Sequence, residues 1–228
     1  MSSGFSKTMP SLNTFVFTDH DVSNSDILLS GLSGTPLTHT LSNSDAPLLE
    51  IASRLRGLRD IERLVLLAHG EPGSIILSGK RIDTATLAEG AEVLRLIKAT
   101  LAPNAEVTLV ACAVGAGPEG AAFVEALEAA LGVSVSASDT LLGSTYGWAS
   151  LPAAERVFGQ SALTAYPHTL GTFNFESGSG AADGGATVTQ TVDGVTATVS
   201  TSDSGGVGLI SGLDGTLATF GDDSAKVG

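Results

Sequence analysis

The sequence predicts a mixed α/β fold: a mostly parallel sheet with helices on both faces, followed by the start of a β-sandwich-like tail. Three observations carry this. Strand and helix patterns alternate through about the first 140 residues, as they do in layered α/β domains. The apolar runs 64–68 and 107–111 are nearly continuous rather than alternating, the pattern of a strand covered on both faces. After about Thr169 helix formers nearly vanish, and Gly, Thr, Ser and Val take over.

The elements follow in order. Thr14–Thr18 reads as a strand, Ser25–Leu32 as a weak helix and Thr35–Leu41 as a short strand. Leu48, Ile51, Ala52, Leu55 and Leu58 recur at helical spacing and predict an amphipathic helix over 46–58. Leu64–Ala68 is a buried strand. Residues 74–82 form a hairpin pattern with its turn at Gly79-Lys80. Leu87, Ala91, Leu94 and Ile97 share one face of a helix over 84–99, with Asp83 as its cap. Pro103-Asn104 predicts a turn, and Val107–Ala111 the next strand. Pro118 opens a helix, with Phe123, Val124, Leu127 and Leu131 turned inward, and Gly132 stops it. Val133–Ala137 is a further strand. In the tail, 186–190 and 195–200 alternate on either side of the turn signal Val192-Asp193-Gly194. The chain thus divides into a polar N-terminal tail (1–12), an α/β domain (13–168), a linker (169–176) and a β-rich segment (177–228) that reads as part of a second domain.

Composition narrows the function. A net charge of −13 with only 11 Lys+Arg argues against nucleic acid, whose affinity comes mainly from basic contacts with phosphates. It equally disfavours anionic lipid. No apolar run approaches the roughly 18 residues of a membrane helix. The start of the chain carries no cationic-then-apolar signal pattern. Few charges, 28 glycines and many small or β-branched residues suggest a secreted bacterial protein. One cysteine excludes an intramolecular disulfide framework and any multi-Cys metal site.

That cysteine, Cys112, ends the strand pattern 107–111, and His69-Gly70 ends the pattern 64–68. The 43 residues separating His69 from Cys112 hold a hairpin, a helix and a strand, which together make one crossover. A crossover returns the chain to a parallel strand, so both carboxyl ends open on one edge of the sheet, where ligands of such sheets bind. An imidazole there favours the thiolate, the nucleophilic form of the thiol. Gly70 lets backbone come close to a bound carbonyl. The N–H groups of Gly70 and Cys112 together suit an oxyanion, while Gly115 and Gly117 give the following loop room to pass a substrate. Against this stands Cys112 as a small buried hydrophobe, with the two loop glycines as ordinary turn residues. His20, His39 and His168 lack a strand-end motif and read as surface or packing residues.

The blocks Ala68-His69-Gly70-Glu71-Pro72-Gly73 and Leu109-Val110-Ala111-Cys112-Ala113-Val114-Gly115 resemble the His-Gly and Ala-Cys blocks of caspase-like (clan CD) cysteine peptidases. More narrowly, Phe15 to about Trp148 resembles the domain of unknown function 4347 module found near the N-terminus of giant bacterial surface adhesins. The matching pieces there also include 120–124, Ser136-Ala137-Ser138-Asp139 and Gly147-Trp148. The resemblance covers about two thirds of the chain. It implies a caspase-like sheet and a cysteine endopeptidase in which Cys112 attacks and His69 moves the proton. It further implies cleavage in cis, or of a neighbouring copy, during maturation of a secreted or cell-surface adhesin. Many basic-specific members carry an acidic residue shortly before the cysteine. Here Val110 and Ala111 are apolar, so substrate preference does not transfer.

Three further residues are candidates for substrate binding. Asp139 follows the strand after Cys112, where such enzymes build the pocket for the residue before the scissile bond, and a carboxylate there selects Lys or Arg. The competing role is a turn aspartate. Asp19 ends the first strand, where it orients His69, lines the pocket or caps the next helix. Trp148 roofs the pocket or packs under the sheet. If Asp139 lines the pocket, Lys7 and Lys226 are the expected cuts. No organic cofactor is implied. Acidity admits calcium as an activator or structural ion, but no liganding loop stands out. The rival reading is a catalytically silent structural or retention module. A serine esterase is disfavoured by the lack of a G-x-S-x-G elbow.

Overall fold

The computed structural model describes residues 13–143 and 147–170 in full, together with the backbone of the strand residues 187–192, 195–201, 208–213 and 216–220. The chain forms two compact units, 1–170 and 171–228.

In the first unit the order is β1 (Thr14–Thr18), α1 (Ser25–Ser30), β2 (Leu37–Thr40), α2 (Pro47–Leu55), β3 (Ile61–Leu67), β4 (His69–Glu71), β5 (Ser74–Leu77) and β6 (Lys80–Ile82). There follow α3 (Thr84–Glu89), α4 (Ala91–Lys98), β7 (Leu101–Val110), α5 (Gly117–Leu131), β8 (Ser134–Ala137), a 3-10 turn at Trp148–Ser150, α6 (Pro152–Phe158) and α7 (Gln160–Ala165). Five strands make a parallel sheet in the order β2-β1-β3-β7-β8, and β4-β5-β6 form a separate antiparallel hairpin sheet.

Both faces of the parallel sheet are covered, as the unbroken apolar runs require. Leu64, Leu66, Leu109 and Ala111 pack with Ile51, Leu55, Leu94, Ile97, Phe123 and Leu127 of α2, α4 and α5. Val65, Leu67, Val110 and Cys112 pack on the other side, with Leu28, Val157, Phe158 and Leu163 of α1, α6 and α7. Burial of one such leucine contributes about 1.5–3 kcal/mol, so the central strands β3 and β7 anchor the domain.

Local signals explain most element ends. The Asp83 carboxylate accepts the Thr86 amide hydrogen at 3.0 Å and caps α3. Gly132, at φ 72°, closes α5 in the left-handed conformation. Ser78 and Gly79 both have positive φ and make the hairpin turn one residue earlier than expected. Two expectations are corrected. The helix over 84–99 breaks at Gly90 into α3 and α4. The turn expected at Pro103-Asn104 lies inside β7, where the register against β3 shifts between Ile61 and Arg63; proline has no N–H for the ladder and is tolerated at such an irregularity.

In the second unit, β9 (Thr187–Val192), β10 (Val195–Thr201), β11 (Gly208–Leu213) and β12 (Thr216–Phe220) form an antiparallel sheet in sequential order. The two strands expected in the tail pair antiparallel, with Val192 opposite Val195.

Candidate functional site

The strand order reverses at β1 and β3, the switch point where open parallel sheets form a crevice at their carboxyl ends. Three segments leave the sheet there: Asp19-His20-Asp21 after β1, His69-Gly70 after β3, and Cys112 after β7. Leu67 lies opposite Val110, and the amide of Ala68 still donates to the Val110 carbonyl at 3.2 Å. The 43-residue offset of that register is the offset between His69 and Cys112. Val65 and Leu67 of β3 share a face with Val110 and Cys112, and His69 opens β4 two residues beyond Leu67.

The His69 ring is held by backbone. Its Nε2 lies 3.3 Å from the Asp21 carbonyl oxygen. A carbonyl only accepts, so Nε2 carries the hydrogen, and in the neutral ring Nδ1 is a bare acceptor. That Nδ1 is buried and has no hydrogen-bond partner. Among the described residues it is the one imidazole nitrogen in that condition. His20 contacts the carboxylates of Asp19 and Asp21, His39 contacts Glu50, and His168 contacts Asn24.

Asp19 supports this arrangement from behind. It is buried, and its carboxylate accepts the amide hydrogens of Asp21, at 3.1 Å, and Ser78. It therefore fixes the loop whose carbonyl holds His69, and does not cap α1, whose N-cap residue is Asn24. One ligand atom each of Asp19, His20 and Asp21 lies within 4.8 Å of the others, a spacing open to a cation. The Asp19 oxygens, however, are already used by the loop.

The thiol is covered, which corrects the expectation of an open cleft. Cys112 is 1 % exposed. Its Sγ accepts the Leu142 amide hydrogen at 3.0 Å, and its S–H donates to the Leu142 carbonyl oxygen at 3.4 Å. A cavity of about 620 Å³ lies instead between α5, β8 and α6, lined by Val124, Ser136, Leu151 and Arg156 among others, and away from Cys112 and His69.

The covering segment also uses the two amides that the sequence nominates for an oxyanion. Gly70 N–H donates to the Leu170 carbonyl oxygen at 3.1 Å, and Cys112 N–H donates to the same oxygen at 3.3 Å. Leu170 N–H in turn donates to Leu142 O at 3.0 Å, and Thr169 bridges Gly143 antiparallel. Gly70 has no room for a side chain: an added Cβ would sit 2.7 Å from the Cys112 carbonyl oxygen and 2.6 Å from Val114 Cγ2.

The remaining candidates separate. Trp148 is buried in the same apolar cluster as Cys112 and Leu170 and meets Tyr166 edge-on at 6.4 Å. Asp139 is exposed, and its carboxylate makes no hydrogen bond or ion pair among the described residues. Gly115 donates to Ser138 O at 2.8 Å, which ties the loop after Cys112 to the end of β8. Sequence reasoning missed Asp21, Leu142 and Leu170, all of which act through backbone atoms that carry no residue-type signal. Leu170 in particular falls in the stretch read as a linker.

No curated protein and no solved structure matches the chain. One family model does, over residues 15–170, the segment that contains every group of the site, and the chain accordingly belongs to the family described as domain of unknown function (DUF4347).

Proposed function

We propose that this domain is a caspase-like cysteine endopeptidase that processes its own chain, with Cys112 as nucleophile and His69 as the base. The observation that carries the reading is the convergence of Gly70 N–H and Cys112 N–H on a single carbonyl oxygen beside the only thiol. Two fixed amide donors aimed at one oxygen are what an acyl-transfer site needs, because they stabilise the charge that forms there without reorganising. The bare, buried Nδ1 of His69 supplies a proton acceptor of fixed tautomer. Resting contacts of catalytic groups are often longer than those made during reaction, so a base without a partner suits the role.

The buried thiol fits an enzyme whose substrate is already tethered, and would hamper one that takes peptides from solution. By its resemblance to adhesin modules, such processing belongs to the maturation of a large secreted or surface protein. Burial of Cys112 also favours the rival reading, a silent structural or retention module whose thiol is a packing group. Intact-mass measurement separates the two. Purified wild type and Cys112→Ala are incubated with and without calcium. Fragments from wild type alone support the peptidase; fragments from both point to a contaminating protease, and none from either supports the silent module.

A further inference from the structure

We propose that the bond cut is the chain's own Leu170–Gly171 bond, with Leu170 as the residue before the cut and an apolar pocket selecting it. This rests on the peptidase reading and adds the substrate to it. The oxygen held by Gly70 N–H and Cys112 N–H is the carbonyl oxygen of Leu170, so the carbon bonded to it is the one these two donors would activate toward attack.

The way the segment is seated supports the assignment. A peptidase substrate is held extended, by main-chain hydrogen bonds to an enzyme strand or loop. Here Leu170 N–H donates to Leu142 O, and Thr169 makes an antiparallel bridge with Gly143. Leu142 also donates its own N–H to Cys112 Sγ, so one residue holds both the nucleophile and the strand presented to it. The Leu170 side chain is 0 % exposed and belongs to the cluster that holds Leu142, Trp148, Leu151 and Tyr166. That cluster is the pocket, and it is apolar.

The position of the bond agrees with its proposed fate. Leu170 is the last residue of the first compact unit and the last residue matched by the family. Cleavage after it cuts the chain at the boundary of the two units and removes no residue of the first unit's core. The next residue is glycine, which places no side chain beside the leaving nitrogen.

The step balances as a hydrolysis. The Cys112 thiol gives its proton to His69 Nδ1, and its sulfur bonds to the Leu170 carbonyl carbon. The π pair moves to the oxygen, where Gly70 N–H and Cys112 N–H hold it. As the pair returns, the bond to Gly171 nitrogen breaks and His69 delivers the proton to that nitrogen. This leaves a thioester on Cys112 and a new amino terminus at Gly171. Water then adds to the thioester, with His69 taking its proton and returning it to sulfur. The products are a Leu170 carboxylic acid, which gives its proton to solvent, and the restored Cys112 thiol.

The test is intact mass together with N-terminal sequencing of wild type, Cys112→Ala and Gly171→Pro, incubated with and without calcium. Proline at 171 removes the N–H of the bond to be cut and restricts the backbone of Leu170 before it, so a circular dichroism melt accompanies this variant to show that the first unit keeps its fold. The expected result is a wild-type fragment beginning at Gly171, absent from both variants. A Cys112-dependent cut at another bond, unaffected by Gly171→Pro, overturns this assignment and leaves the peptidase reading standing. A wild-type chain that stays whole in every condition overturns both.

Discussion

Asp19 and His69 are joined through one intervening residue: the Asp19 carboxylate accepts the Asp21 amide hydrogen at 3.1 Å, and the Asp21 carbonyl faces His69 Nε2 at 3.3 Å. The side chain that ends β1 thereby sets the tautomer of the ring that ends β3. In a catalytic histidine the group bonded to one nitrogen decides what the other can do. Under the proposed peptidase reading Asp19 is therefore a positioning residue.

Asp19→Asn keeps the shape but turns an amide NH2 toward one of two backbone donors. A hydrogen bond to a charged group contributes about 1.5–3 kcal/mol. We expect the variant to fold with a lowered Tm and to self-process about tenfold slower, the equivalent of roughly 1.4 kcal/mol on the barrier. Imidazole nitrogen NMR in the Cys112→Ala background should show His69 losing its single tautomer. A variant with slower processing but an unchanged His69 spectrum would show that Asp19 supports the fold alone.

Gly70→Ala tests the crowded end of β3. The added carbon meets a backbone oxygen, which cannot swing away, and the Ala111 Cβ at 2.9 Å. Overpacking of this kind costs about 1–3 kcal/mol. The shift also moves the Gly70 N–H off the Leu170 oxygen, and losing one oxyanion donor slows acyl transfer by on the order of 10²–10³-fold. Denaturant titration and fragment accumulation measure the two effects separately. Normal processing by a destabilised Gly70→Ala would remove Gly70 from the oxyanion site.

Glu50 carries a pH dependence on the far side of β2. Partial burial works against its ionisation, but the Ser42 hydroxyl and amide and His39 outweigh this and hold the carboxyl below its ordinary value. A carboxyl depressed in the folded state stabilises fully above its unfolded value of about 4.3 and loses that contribution as pH falls through the folded value. Glu50→Gln should therefore cost about 1–2 kcal/mol at pH 7. The gap to wild type should close in urea melts as pH falls through the depressed folded value, below the ordinary carboxylate range. A gap constant with pH would mean that Glu50 acts through packing.

The sequence made the sheet legible because its signals were local. The runs at 64–68 and 107–111, the cap at Asp83 and the stop at Gly132 each act within one element. The placement of His69 and Cys112 after the adjacent parallel strands β3 and β7 was also legible, since a crossover between parallel strands constrains where both strand ends emerge. Two helices escaped notice although Pro152 opens α6 in the favoured first turn. Their short lengths, 7 and 6 residues, give little periodicity to read. Leu170 was illegible for another reason. Flanked by threonine and glycine it looks like the start of a linker, and only closure of the whole domain buries it.

Under the proposed peptidase reading, Asp139 and Leu170 point to different substrate preferences. Asp139 suggested a pocket for Lys or Arg, yet it is exposed, while Leu170 lies among apolar side chains. The two pockets predict opposite responses to changing Leu170. A lysine there would place a cation among buried apolar side chains, and desolvating an unpaired charge is strongly unfavourable. Leu170→Met keeps volume and apolarity and typically costs under about 1.5 kcal/mol. We therefore expect Leu170→Met to process within about tenfold of wild type, Leu170→Lys to stop, and Asp139→Ala to change nothing, all read from intact masses over time. Circular dichroism melts identify any variant that fails to fold, and for Leu170→Lys a peptide panel in trans gives a second reading: preference for Leu over Lys before the bond supports the apolar pocket. Faster cutting by Leu170→Lys, abolished by adding Asp139→Ala, would return the specificity to Asp139.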